Sequence, residues 1–152
     1  MSARPASEGL HVVCPSCATT NRVARDRLGE APRCGSCRQA LFPGHPFALT
    51  RANFDRHVKA SGDVPLVVDF WADWCGPCRM MAPAYEQAAQ RVGAGVHLAK
   101  LDTEAEQPIA ARLGIRSIPT LIAFRGGREV ARQSGALPLT QLMQWIAAHA
   151  QN

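Results

Sequence analysis

The sequence predicts an α/β fold, a mixed sheet with helices on both faces, preceded by a small cysteine-rich module at the N-terminus. Three observations carry this reading. From residue 47 onward, short apolar runs alternate with amphipathic segments of helical length, the pattern of strands covered by helices. Residues 11–41 hold two Cys-x-x-Cys pairs and only short, broken apolar stretches, too few to bury a core unaided. Between these regions, residues 42–48 contain two prolines and a glycine, which marks a linker. The chain therefore divides into residues 1–46, a polar tail (1–10), module and linker, and residues 47–152, the α/β domain.

The elements follow in order. Phe47–Leu49 begins a strand, and Thr50 is placed to cap a helix over 51–60. Pro65–Trp71 is apolar and β-branched, as a buried central strand requires. Residues 76–92 form a helix with Met81, Ala84, Tyr85, Ala88 and Val92 on one stripe, and Pro83 inside it is expected to kink it. Val96–Leu101 reads as strand, 105–113 as helix and Thr120–Phe124 as strand. Gly126-Gly127 turns a hairpin into 128–133. Leu139, Leu142, Met143 and Ile146 stand at helical spacing in a last helix over 138–150.

A hydrophobic fraction of 47% and a charged fraction of 19% exclude disorder over most of the chain. The first twenty residues contain no signal-peptide core, and no apolar run reaches membrane-spanning length, so the expected address is cytoplasmic. The formal charge of +5 splits into +3 for residues 1–46 and +2 for the rest, with no block of like charges. Arg22, Arg25, Arg27 and Arg33 have no interleaved aromatic, so they read as a solvated face and nucleic acid is not an expected partner.

A reducing compartment keeps thiols free, so six cysteines are not a disulfide framework. They form three pairs, and the question is which bind metal and which do redox chemistry. Cys75 and Cys78 sit where a buried strand passes into a helix, flanked by Trp74 and Pro77. One helical turn brings the two within disulfide range. Cys75, at the helix start, faces unpaired N–H groups and the positive end of the helix dipole, which favour the attacking thiolate. Cys78, one turn further in and expected to be better shielded, suits the resolving role. Asp69, six residues before Cys75 in an apolar run, is either a proton acceptor for Cys78 with a raised pKa or a satisfied core carboxylate. Lys100 either pairs with Asp69 or is exposed at a strand end.

Cys14/Cys17 and Cys34/Cys37 are separated by sixteen residues, the spacing of a Cys₄ site for one structural Zn²⁺. Four thiolates also suit iron. His11 and His45 flank the module as surface groups.

The run VVDFWADWCGPCRMMAP, then IRSIPT, the Gly126-Gly127 turn and Ser134-Gly135-Ala136 resemble the thioredoxin family over residues 47–152. With the two upstream pairs, the chain is similar to thioredoxin 2, the bacterial cytosolic branch with a zinc-binding N-terminal extension. The resemblance implies the thioredoxin fold with a small zinc-ribbon-like module. It also implies reduction of disulfide-containing protein substrates and re-reduction by an NADPH-dependent thioredoxin reductase. On this resemblance Pro119 is cis and faces the cysteine pair. Trp74, Gly76, Pro77, Ile118, Pro119, Gly135 and Ala136 would then form the substrate-docking surface. No organic cofactor and no membrane partner are expected, and the chain is expected to work as a monomer.

Overall fold

A computed structural model of the chain describes residues 8–151. Of the expected polar tail, residues 1–7 lie outside the described residues, whereas Gly9 already opens a strand. Strand β1 (Gly9–Val13) pairs antiparallel with β2 (Thr20–Ala24), a hairpin absent from the sequence reading. Only Leu10, Val12, Val13 and Val23 are buried in it, so its alternation is too short to stand out. Leu10, Val12, Val23 and Leu41 gather around Cys14 and Cys34 in a small core. Val64, from beyond the linker, completes it.

Strands β3 (Phe47–Ala48), β4 (Leu66–Trp71), β5 (His97–Asp102), β6 (Thr120–Arg125) and β7 (Arg128–Ser134) lie in the order β3-β5-β4-β6-β7. The first three run parallel, and β6 and β7 are antiparallel, giving the mixed sheet. Helices α2 (Gly76–Val92) and α4 (Leu139–His149) bury Met81, Tyr85, Leu142 and Ile146 against Val67, Leu98 and Leu121 on one face. Helices α1 (Phe54–Lys59) and α3 (Gln107–Arg112) cover Val68, Phe70, Leu101 and Ile122 on the other. Strand side chains alternate between faces, so Asp69 shares the α2 side with Val67. Helix α2 runs through Pro83 without interruption.

Two helices start later than their sequence signals. Thr50 N–H bonds Asn53 Oδ1 at 2.7 Å and Ala52 N–H bonds Thr50 Oγ1 at 3.2 Å, so these polar side chains close a turn ahead of α1. Asp102 Oδ1 likewise takes the N–H groups of Glu104 and Ala105 at 2.9 and 3.3 Å and delays α3. At the β6–β7 hairpin, Gly126 and Gly127 have φ of +63° and +79°, the left-handed pair that a tight type I′ turn needs.

The stretch expected as a linker lies in the seam between the two units. Leu41 is fully buried, and its carbonyl accepts from His97 Nε2 at 2.7 Å. The Phe42 ring stands 4.9 Å from His97, and Phe47 stands 4.9 Å from His57 and 5.2 Å from His97. On the same side Arg56 donates to the Ala18 carbonyl at 2.7 Å, and His11 reaches Asp63 Oδ2 through its N–H and Nδ1 at 2.8 and 3.0 Å. His11 and His45 are exposed.

Burial pushes His57 down to about 3, helped by the nearby His97 and Arg56 charges. Burial likewise pushes His97 down to about 4, against the pull of the Leu41 carbonyl. Both are therefore neutral in the fold, whereas the unfolded chain takes up their protons near pH 6.5. Stability is full above that pH and falls as pH drops toward the folded values, by about 2 kcal/mol per histidine at pH 5. Among the described residues His57 Nε2 has no hydrogen-bond partner. His57→Leu should thus be near neutral at pH 7 and remove about half of the acid loss. Urea unfolding at pH 7 and pH 5 checks this; an undiminished acid loss in the variant would contradict it.

Candidate active site and metal centre

Strand β4 leads directly into the cysteine pair. Cys75 turns the chain, its N–H bonding the Ala72 carbonyl at 3.2 Å, and serves as the N-cap of α2. Its Sγ accepts the Cys78 N–H at 3.2 Å, with Pro77 in the first helical turn where a missing donor costs nothing. The two cysteines form a disulfide with Cα atoms 5.3 Å apart. Each is 3% exposed, so greater shielding of Cys78, expected from its depth in the helix, is not what distinguishes them. The difference is position. Cys75 lies at the helix mouth, with Sγ 3.6 Å from the Ile118 carbonyl oxygen.

The Ile118-Pro119 peptide is cis. The Pro119 carbonyl accepts the Gly135 N–H at 2.8 Å, which ties the end of β7 to this loop, and Ala136 follows on the surface. Gly76 and Pro77 are exposed at the helix start. Trp74 is 68% exposed and yet fixed, its Nε1 donating to Glu104 Oε1 at 2.8 Å. Glu104 was not among the residues singled out from sequence, and no spacing rule links a turn after β5 to a tryptophan thirty residues earlier. Asp73 and Arg79 flank the pair as exposed charges of opposite sign.

Asp69 is buried beneath α2, and burial pushes its carboxyl up to about 7 against the opposing pull of the Lys100 charge. Its Oδ1 has no hydrogen-bond partner among the described residues, so it is not a core carboxylate with every lone pair satisfied. Lys100 lies directly opposite Asp69 in the β4–β5 register, mid-strand and half-buried rather than at a strand end. Its Nζ sits 4.6 Å from the Trp71 ring centroid, and it acts on Asp69 through its charge at a distance, with no ion pair between them among the described residues. Trp71 is half-buried, and its carbonyl is taken by Thr103.

At the other end of the molecule, the sulfurs of Cys14, Cys17, Cys34 and Cys37 all lie within 4.8 Å of one another. Cys14 and Cys37, and Cys17 and Cys34, are each 3.6 Å apart. Tetrahedral thiolates about 2.3 Å from a zinc ion stand about 3.8 Å from one another, so the cluster fits that geometry. The two pairs fold alike. Ala18 N–H bonds the Cys14 carbonyl and Arg38 N–H bonds the Cys34 carbonyl, both at 2.9 Å. Ser16 and Ser36 N–H groups point at Cys14 and Cys34 Sγ at 3.3 and 3.4 Å. Ala18 and Arg38 both take left-handed φ, +63° and +69°, a strained choice for residues with a Cβ that clusters at ligand clamps. Cys34 is held down to about 6, first by the Cys37 backbone and then by the Asn21 amide, which favours a thiolate ligand.

The thioredoxin family model matches residues 45–148. The chain belongs to the thioredoxin family. A second match, to the N-terminal domain of thioredoxin 2, a zinc ribbon, covers residues 13–39. Thioredoxin C-3 of Corynebacterium nephridii is 46% identical over 135 residues, spanning 89% of this chain and 92% of that protein. Thioredoxin 1 of a Nostoc species is 45% identical over 101 residues, 66% of this chain and 94% of the relative. Among solved structures, the N21Q mutant thioredoxin from Halobacterium salinarum superposes with a TM-score of 0.63 at 30% identity, covering 72% of this chain and 95% of its own. This thioredoxin is accordingly a thiol–disulfide oxidoreductase that reduces protein disulfides through Cys75 and Cys78. Its N-terminal segment is a zinc-ribbon-like module built on four cysteines. No described helix is long and apolar enough to cross a membrane.

Proposed function

We propose that Cys75 is the nucleophile and Cys78 the resolving thiol, in a chain whose oxidised form is re-reduced by an NADPH-dependent thioredoxin reductase. The observation that carries this is the Cys75 sulfur at the helix mouth, accepting the Cys78 N–H and facing Ile118. Cys75 thiolate attacks one sulfur of a substrate disulfide; that bond breaks, and the departing sulfur takes a proton. Cys78 then attacks Cys75 Sγ, the mixed disulfide breaks, and the second substrate sulfur leaves as a thiol. Two electrons pass to the substrate, and the Cys75–Cys78 disulfide remains. Ile118, Pro119, Gly135 and Ala136, with Trp74, Gly76 and Pro77, line the approach to Cys75 and dock the substrate chain, with the Ile118 backbone as a strand-like partner. The test is NADPH consumption in a mixture of this chain, thioredoxin reductase and insulin. Absence of any chain-dependent consumption would sink the reading.

Asp69 accepts the Cys78 proton, directly or through water, and Lys100 tempers its pKa. A carboxyl with a folded pKa of about 7 against an ordinary value of 3.8 is penalised when ionised, so stability falls as pH rises through that window. Asp69→Asn should therefore gain up to about 4 kcal/mol at pH 8 and nothing at pH 4. It should also lengthen the mixed-disulfide lifetime about tenfold. Stopped-flow turnover and pH-dependent melting separate the cases; a stability gain with unchanged resolution would leave Asp69 a core group only.

The Cys₄ cluster holds one structural zinc, supplying the folding energy that a module this small lacks. Residues 1–46 are the tail, module and linker, and 47–152 the thioredoxin domain, a division supported by their separate cores. The protein works as a cytoplasmic monomer.

A further inference from the structure

Helix α3 ends in a Schellman turn: Ile115 N–H bonds the Ala110 carbonyl, Gly114 N–H bonds the Ala111 carbonyl, and Gly114 takes φ +67°. That turn satisfies the carbonyls of 110 and 111 and launches the segment 115–119 that carries Ile118 toward Cys75. It leaves the Leu113 and Gly114 carbonyls open. Arg132 of β7 takes them, donating from Nη2 to Leu113 at 2.8 Å and from Nη1 to Gly114 at 3.5 Å. The other edge of the same guanidinium is held by Glu129, with Nε and Nη2 each 2.8 Å from its carboxylate oxygens.

This geometry depends on an irregularity in the strand. Residues three apart in a regular strand point to opposite faces. Here Phe124 pairs with Glu129 while Ala123 pairs with Ala131, so Val130 is an inserted residue. The bulge puts Glu129 and Arg132 on one side and exposes Val130. Further along, Thr120 Oγ1 holds the Ser117 carbonyl at 2.6 Å and Gly135 N–H holds that of Pro119 at 2.8 Å. The docking segment is thus fixed near its exit end by the Thr120 hydroxyl and the Gly135 N–H, and at its entry end by Arg132.

We infer that Arg132, braced by Glu129, is a positioning residue that sets the Ile118–Pro119 segment against Cys75 for docking protein substrates. This rests on the proposed docking role of that segment. Lysine cannot replace the arginine, because one ammonium cannot span two carbonyls and a bidentate carboxylate at once.

The test compares wild type, Arg132→Met, Arg132→Lys and Glu129→Gln, driven by dithiothreitol, on insulin and on hydroxyethyl disulfide. Arg132→Met should raise KM for insulin about fivefold with kcat and the hydroxyethyl disulfide rate within about twofold, and Arg132→Lys should not rescue it. Hydrogen exchange of the Gly135 amide should quicken about fivefold in both variants. Should Arg132→Met not fold, Glu129→Gln must show the same insulin-selective rise, reduced to about twofold. Insulin KM unchanged in the variants, or equal losses on both substrates, would overturn the inference. If wild type itself shows no preference for insulin over hydroxyethyl disulfide, the docking reading fails instead, whatever Arg132 does.

Discussion

Replacing Cys75 by serine should abolish insulin reduction, a loss of more than about 10³-fold, because an alcohol does not attack sulfur at neutral pH as a thiolate does. The fold should survive, since Cys75 is an N-cap and serine is among the best N-cap residues. Unchanged melting beside lost turnover would locate the effect in the chemistry. Cys78→Ser should behave differently. Cys75 can still attack, nothing resolves the product, and the substrate stays attached at Cys75. A non-reducing gel and peptide mass mapping would show the adduct. If Cys75→Ser captured substrate on Cys78, the roles would be reversed; if either serine variant turned over within about tenfold of wild type, the dithiol mechanism would fall.

Stripping metal from the Cys₄ cluster, or Cys34→Ser, should unfold the N-terminal module. Structural zinc in comparable small modules contributes about 10–16 kcal/mol of apparent binding energy, more than the few buried side chains around Cys14 and Cys34 can supply. Amide protection over β1 and β2 should vanish. Turnover should stay within about threefold of the loaded protein, because the module meets α1, Asp63, Val64 and His97, away from the cysteine pair. The second unit should still lose about 1–3 kcal/mol, as His97 loses the Leu41 carbonyl and Val64 its cover. Hydrogen exchange and insulin turnover on the same stripped sample decide this. Abolished turnover with an intact sheet would make the metal module part of the catalyst.

The two cysteine classes were separable from the sequence because each has a local cause. A redox pair needs a strand before it and a helix after it, and Leu66 through Val92 supplies both. A metal clamp needs two close pairs at a fixed separation, and residues 14–37 supply that. The linker was harder. Prolines and glycine correctly flagged an irregular backbone, but composition cannot show that Phe42 and Phe47 would stack on histidines from α1 and β5. Glu104 and Arg132 left no trace either. Each matters through one long-range hydrogen bond, and surface glutamates and arginines are common in any soluble chain.

The sequence by itself determined the mixed α/β architecture, the position of the redox pair, the four clustered cysteines of the N-terminal module and the raised pKa expected of Asp69. Periodicity, spacing and burial in an apolar run are local properties of the chain. Tertiary structure alone decided that Lys100 would stand mid-strand beside Asp69 and that Trp74 would be anchored by Glu104. It also decided that a bulge at Val130 would turn Glu129 and Arg132 toward the end of α3. Lys100 meets Asp69 through register between strands distant in sequence, where a shift of one residue would send it to the opposite face; the other outcomes rest on single contacts and a local bulge that composition does not encode.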